Sequence, residues 1–287
     1  MKLPQFEYQA PASLDEAVAL LAAGDGAARP IAGGQSFVPV MAFRLAEPSM
    51  LVDLRKIPGL DKIEIGAEGV RLGAMVRWRD ILDDARLKTA LPLLPEAIDH
   101  VAHYQIRNRG TVGGSLCHLD PAAELPTVAC ALDAVVDVAG PNGRRSIPFA
   151  EFPAGYMAPA IELNEIVTRV SFPLWPGEAG HAFVEFARRH GDFAIVSAAA
   201  MLTVDGAGRI SRAALALGGV AGVPLRMGEV EQALVGQSAS SETFRAAAEL
   251  CRKVEAVGDV YISAGYRQHL AVVMAKRALE QAYFNRE

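Results

Sequence analysis

The chain has 287 residues, 51% of them apolar and 21% charged, with a formal net charge of −5. That is ordinary globular composition, long enough for two or three lobes, and its negative balance excludes nucleic acid or an anionic membrane as the expected partner. Cys117, Cys130 and Cys251 are too few and too scattered for a disulfide frame or a metal cluster held by this chain alone. No apolar run reaches membrane-spanning length, and no apolar core follows the N-terminus as in a signal peptide, so a cytoplasmic protein is expected.

Ser13 and Glu16 have capping-box spacing and open a short helix that Gly24-Asp25-Gly26 stops. Residues 29–32 enter a buried strand that ends at Gly33-Gly34. Ser36 is placed to cap a helix over 37–45, and 50–54 form a second strand. Residues 1–56 therefore read as a β-α-β unit with the Gly pair at its strand-to-helix corner.

Past Pro58-Gly59, residues 62–64 and 70–73 read as short strands, and 78–87 and 94–103 as helices. Residues 104–115, rich in Arg, Asn and Gly, suit a structured loop. Asp120 before Pro121 reads as the N-cap of a helix running through residue 132. The turn Gly140-Pro141-Asn142-Gly143 joins strands 134–139 and 144–147, and strand 165–172 closes a second unit over 57–176. In the last unit, 177–287, strands 182–187, 194–204 and 210–218 precede helices 241–256 and 263–284, an α+β arrangement. Phe244, Ala248 and Cys251 share a face of the first helix; Tyr266, Leu270, Val273 and Met274 share a stripe of the second.

Two stretches carry the candidate chemistry. In Ala32-Gly33-Gly34-Gln35-Ser36, Gly lets backbone amides approach a ligand closely, and the helix start offers free N–H groups and a positive dipole end. Together they suit a pyrophosphate, although a plain Ser-capped turn has the same residues. The stretch fits neither the G-x-G-x-x-G nor the G-x-x-x-x-G-K spacing. The second stretch, 107–115, adds Arg107, Arg109, Thr111 and the pair Gly113-Gly114 before Ser115. Asp120 and Glu124 follow it, carboxylates able to accept from ribose or ribityl hydroxyls, or equally a cap and a solvated helix residue. Cys117 and His118 have no second ligand pair for a metal. His100 and His103 read as packing or surface residues. Phe193, in the charged run 188–193, reads as core or as a neighbour of an aromatic ligand.

The two Gly-rich stretches, with 116–126 (Leu-Cys-His-Leu-Asp-Pro-Ala-Ala-Glu-Leu-Pro), resemble the FAD-binding medium subunit of molybdenum hydroxylases, the carbon monoxide dehydrogenase and xanthine dehydrogenase family. Arg189-His190-Gly191-Asp192-Phe193-Ala194 and Leu217-Gly218-Gly219-Val220 are similar to the family's C-terminal region, so the resemblance spans the chain. It implies an α+β fold, in which a two-subdomain FAD-binding fold of the vanillyl-alcohol-oxidase type precedes a C-terminal α+β domain. It implies that Ala32, Gly33, Gly34, Gln35 and Ser36 hold the pyrophosphate, and that Thr111, Gly114 and Ser115 contact the phosphates and the inner end of the flavin nucleotide. Ala102 and Ile106 would line the isoalloxazine, Glu124 with Asp120 would serve the ribityl chain, and Ile166 and Val167 would lie against adenine or ring. Arg107 and Arg109 would serve a reduced, anionic flavin if they reach it. The two Gly–Gly loops would form opposite walls of one FAD cleft.

Relatives often carry Asn at 115 and Asp at 124, where this chain has Ser115 and Glu124. Covalent flavoproteins of the wider fold carry His in the first Gly loop. Gln35 stands there instead, which implies non-covalent FAD. The resemblance further implies electron transfer. Molybdopterin would reside in a large partner subunit and two [2Fe–2S] clusters in a small one, within a dimer of heterotrimers. This chain's FAD would pass electrons to NAD, a quinone or oxygen. The alternatives are a free-standing FAD-dependent reductase and a non-catalytic nucleotide-binding assembly module.

Overall fold

The computed structural model describes residues 2–176 and 178–286. Ser13 Oγ accepts from the Glu16 amide at 3.2 Å and starts the helix Leu14–Ala23. Glu16 reaches one residue further back than a capping box requires and accepts from the Ala12 amide at 2.9 Å. The first sheet is three-stranded and parallel, in the order Glu7–Gln9, Met50–Asp53, Ala28–Ile31. Glu7–Gln9 is polar throughout and gives no strand signal in the sequence. It is tied to its neighbour by the Tyr8 hydroxyl, which donates to buried Asp53 at 2.6 Å. The helix after Ser36 spans only Phe37–Ala42, because Arg44 turns left-handed at φ 60°.

The second sheet is antiparallel, in the order Ile63–Gly66, Gly69–Gly73, Ile166–Phe172, Val135–Gly140, Gly143–Pro148. Its inner face, Val70, Leu72, Val136, Val138, Val170 and Phe172, is buried beneath helices. The helix expected over 78–87 is two, Trp78–Asp83 and Ala85–Ala90. Extended backbone at Asp84 breaks it, and the Asp84 carboxylate caps the Arg86 amide at 2.9 Å. The next helix, Leu93–His100, ends early because Ala102 takes φ 41°.

The expected loop over 104–115 is largely helical, with a turn Tyr104–Arg107 and a helix Val112–His118. Thr111 caps that second helix, its Oγ1 accepting from the Gly114 amide at 3.2 Å. Glycine depresses helix propensity, which hid this element, but a Cβ on Gly113 would lie 2.6 Å from that of Ala74. Asp120 is not an N-cap. It turns the chain by accepting from the Ala122 amide at 2.9 Å, and the following helix is Glu124–Ala131.

The third sheet is antiparallel, in the order Gly180–Phe186, Val196–Val204, Ile210–Gly218, Leu225–Arg226. Along Val196–Val204, Ala199 and Met201 face the core shared with the second sheet. Ala198, Ala200 and Leu202 face the helix Ala264–Phe284. Both faces are covered, so the strand is almost continuously apolar. The helix expected over 241–256 stops at Ala248 and continues as a 3₁₀ turn, Glu249–Lys253, with Phe244, Ala248 and Cys251 buried as anticipated. On the long helix Leu270 and Met274 are buried, while Tyr266 stays exposed. The Gly218-Gly219 pair docks this sheet on the second unit: a Cβ on Gly218 would collide with the Thr127 hydroxyl, and the Gly219 amide donates to Pro121 O at 2.7 Å. Among the described residues, no helix is long and apolar enough to cross a membrane.

Phe172 is fully buried in the central strand of the second sheet. Phe172→Ala is expected to lower unfolding free energy by about 3–5 kcal/mol in urea titrations. A loss under about 1 kcal/mol would mean that this strand does not anchor the core.

Candidate functional site

A cleft of about 790 Å³ opens beyond the carboxyl ends of the parallel strands Ala28–Ile31 and Met50–Asp53. All fourteen residues singled out from the sequence line it. From the first loop these are Ala32, Gly33, Gly34, Gln35 and Ser36, and from the region after the helix Leu93–His100 Ala102, Ile106, Thr111, Gly114 and Ser115. Asp120, Glu124, Ile166 and Val167 complete the set. Segments some 130 residues apart in sequence thus converge on one space of cofactor size.

The two Gly-rich loops differ in what their amides do. In the second, every amide at the helix start is used. Val112 donates to Val76 O at 2.9 Å, Gly113 to Ala74 O at 2.8 Å, Gly114 to Thr111 Oγ1 at 3.2 Å and Ser115 to Thr111 O at 3.0 Å. In the first, the amides of Gly33, Gly34, Gln35, Ser36 and Phe37 have no acceptor among the described residues. Gly34, at φ 73°, turns these consecutive donors into one concave run facing the cleft. Ser36 makes no side-chain cap, so its hydroxyl is free as well. Five unpaired donors at a strand-to-helix corner need an acceptor with several oxygens, which a pyrophosphate supplies.

The loops touch rather than stand apart as opposite walls. A Cβ on Gly33 would overlap the Arg109 carbonyl oxygen, and one on Gly114 would lie 3.8 Å from the Ala32 Cβ. Gly110 packs as closely on the Trp78 indole, where a Cβ would lie 2.6 Å from Nε1. Free amides and a backbone cradle closed to any Cβ are what a dinucleotide cofactor requires, so the residues present fit FAD.

Residues 4–175 match the family model described as the FAD binding domain in molybdopterin dehydrogenase, and 181–282 match the CO dehydrogenase flavoprotein C-terminal domain. The chain belongs to the FAD-binding medium subunits of molybdenum hydroxylases. It is 41% identical over 283 residues to the alpha subunit of the 6-hydroxypseudooxynicotine dehydrogenase complex of Paenarthrobacter nicotinovorans, covering 98% of this chain and 96% of that protein. Carbon monoxide dehydrogenase from Hydrogenophaga pseudoflava, in a form lacking the Mo-pyranopterin moiety of its cofactor, superposes with a TM-score of 0.96 at 36% identity over 99% of both chains. Quinoline 2-oxidoreductase from Pseudomonas putida 86 gives 0.95 at 39% over 100% of both. This medium subunit is accordingly an FAD-binding part of an oxidoreductase, and in the family the molybdopterin and iron–sulfur groups reside in other subunits.

The charge lining the medium-subunit cleft is unexpected for a diphosphate site. Asp120, Glu124, Glu162, Glu165 and Asp192 line it, against one arginine, Arg29, which is spent on the carbonyls of Gly26 and Ala28. Glu165 is neutralised by Arg145 at 2.7 Å and its pKa is lowered by that hydrogen bond. Glu124 is the opposite case: burial pushes it up to about 8, and Glu185 and Asp120 add repulsion. Burial likewise pushes Glu185 up to about 7 and the Cys117 thiol up to about 12, so Cys117 is a neutral wall residue. Arg107 and Arg109 do not line the cleft. The Arg107 guanidinium donates to the carbonyls of Val101 at 2.9 Å and Ala102 at 3.2 Å, and thereby holds the left-handed turn at Ala102. His100 packs on Phe183 with ring centroids 5.4 Å apart.

Trp78, Met75 and Met157 also line the cleft and carry no motif that marks them. Only the aromatic character of Trp78 was available as a signal, since its contact with Gly110 forms in the fold. Phe193 lies at the mouth and is 70% exposed, so the core is not its place. Gly33→Ala is expected to weaken FAD retention by about tenfold or more, since about 1.4 kcal/mol of displaced backbone suffices. Gly66→Ala, with nothing within 4 Å of a new Cβ, serves as the control. Equal flavin-to-protein absorbance ratios in the two variants would rule out the contact between the loops as the determinant of the site.

Proposed function

We propose that this chain is the electron-delivering flavoprotein of a molybdenum-containing dehydrogenase, with the five unpaired amides of the first loop as the observation that carries the reading. The stretch Ala32 to Ser36, through the free amides from Gly33 onward and the Ser36 hydroxyl, holds the pyrophosphate. Because the second loop's amides are already used, Thr111 and Ser115 contribute hydroxyls and Gly114 contributes only its bare backbone surface. Asp120 and Glu124 serve the ribityl chain. Ala102, Ile106, Ile166 and Val167 form the apolar lining for the ring system or adenine, and Phe193 supplies an aromatic face at the mouth.

When bound, the flavin supplies two-electron chemistry, taking electrons from [2Fe–2S] clusters of a partner subunit and passing them to NAD, a quinone or oxygen. The protein's own contribution is to bind, orient and partly enclose it. Gln35 braces the loop, its Nε2 donating to Gly33 O at 3.2 Å, and as an amide it forms no histidyl-type bond to the cofactor. The cofactor is therefore held non-covalently. The chain works as three units, 1–56, 57–176 and 177–287, beside a large molybdopterin-binding subunit and a small iron–sulfur subunit in a cytoplasmic dimer of heterotrimers. The multi-subunit complex to which the 41%-identical relative belongs supports this placement.

Purified protein is expected to be yellow, to release all of its FAD into the supernatant on acid precipitation, and to bring down two further subunits containing molybdopterin and iron–sulfur clusters. Flavin left in the pellet would overturn non-covalent binding, and colourless protein would overturn the cofactor reading.

A further inference from the structure

Glu124 occupies the first position of the helix Glu124–Ala131, is only 8% exposed, and lines the cleft. Among the described residues no side chain pairs with its carboxyl group. The charges that act on it are both negative: Asp120 from the preceding turn and Glu185 from the strand Gly180–Phe186. The Thr127 hydroxyl, one turn along the helix, donates back to Ala123 O at 3.2 Å and is not offered to it. Cys117 on the neighbouring helix is a neutral thiol, and Arg29 is committed to backbone carbonyls. Only the helix start, through the Glu124 amide itself, favours a negative charge here, and burial outweighs it.

Behind Glu124 lies a second unsatisfied pair. Glu185 and Ser197 face each other in register across adjacent strands, yet Glu185 Oε2 and Ser197 Oγ are buried without hydrogen-bond partners. Two carboxyl groups enclosed without a cation, Glu124 and Glu185, do not both ionise readily in so little water. Glu124 is the more buried of the two, and the proton stays on it, the carboxyl that faces the ligand.

We infer that Glu124 meets the cofactor as a neutral carboxylic acid, donating a hydrogen bond to a hydroxyl or carbonyl oxygen instead of accepting one, and that its burial without a cationic partner keeps it so, with Glu185 of the third sheet adding to the effect. The inference rests on the FAD reading of the cleft. It reverses the role expected for an acidic residue beside a ribityl chain. It also makes cofactor binding proton-linked, through a residue of the third sheet that does not itself line the cleft. The sign follows from linkage: the bound state needs the proton, so affinity is constant below the titration of Glu124 and falls as pH rises through it. Repulsion from Glu185 displaces that break upward, and its removal brings the break down.

The test uses the full chain with whatever subunits accompany it, titrated with FAD from about pH 6 to about pH 10 and followed by flavin fluorescence, with circular dichroism confirming the fold throughout. In the wild type the dissociation constant stays level to near pH 8 and then rises about tenfold per pH unit. Glu124→Gln, which keeps a donor and loses the titrating proton, gives a level profile, and Glu185→Gln moves the break to lower pH. A level wild-type profile, or a break that survives Glu124→Gln, overturns the inference while leaving FAD binding intact. Should Glu124→Gln fail to fold, infrared spectra of wild-type protein with ¹³C-labelled glutamate decide instead. A protonated-carboxyl band that shifts on FAD binding and disappears as pH passes 8 supports the donor, and the absence of any FAD-sensitive band at neutral pH overturns it. Failure of every variant to bind FAD at any pH would instead sink the cofactor reading, and the donor role with it.

Discussion

The backbone contact between Gly33 and the Arg109 carbonyl is the constraint on which the cleft depends. No side chain fits between the two loops, so the first helix start can lie directly beside the second. The consequences run in both directions. The second loop turns its amides inward to Val76 and Ala74, which fixes the helix Val112–His118 against the strand ends beneath it. The first loop has no strand or helix behind its corner to take up its amides, and it presents them to the cleft. One Gly-rich stretch is thus structural support and the other is the donor surface, although their sequences look interchangeable.

That division explains how a protein with a net charge of −5 and an acid-lined cleft can accommodate a diphosphate. Arginine or lysine would bring mobile, long-range charge. Five fixed N–H dipoles in a concave run act only at short range and involve no desolvated cation. The acids come from other segments, 120–124, 162–165 and Asp192, where Arg145 balances Glu165 and nothing balances Glu124. Backbone donors and an unbalanced buried carboxyl thus line the same cavity.

Much of this was legible in the sequence, for identifiable reasons. The α+β class, the hairpin at 140–143 and the strands of the third sheet follow from alternation and turn chemistry, which are local signals. The two Gly-rich runs were legible because close approach to a ligand demands small residues, and small residues in a run are conspicuous, whereas Ala102, Ile106, Ile166 and Val167 carry no such signal and entered only through the family resemblance. What escaped depends on tertiary context. Gly113 and Gly114 disguised a helix in which a Cβ would crowd Ala74 at the first position and the capping Thr111 hydroxyl at the second. Glu7–Gln9 became a strand through Asp53, far along the chain. Arg107 looked like a ligand-binding charge, yet it is spent on three carbonyls at the end of a neighbouring helix. The aromatic Phe193, which read as core or as a neighbour of an aromatic ligand, is held at the mouth by a loop whose Gly191, at φ 84°, sits against the His103 ring.

The third sheet belongs to the site as much as the Gly-rich loops do. Its Gly219 amide holds Pro121, and with it the turn that aims Asp120 and Glu124 into the cleft. Arg267 in turn holds Gly219, donating to its carbonyl and to Ile195 O at 2.7 Å while pairing with Asp259 at 2.6 Å. The loop that reaches the mouth with Phe193 leaves the sheet just before Ile195, so one guanidinium fixes both the back of the carboxyl cluster and the root of the mouth loop. A displacement of the long helix that carries Arg267 would reach the cleft from two sides at once. The long helix is therefore tied to the cleft at two points, even though none of its residues lines it.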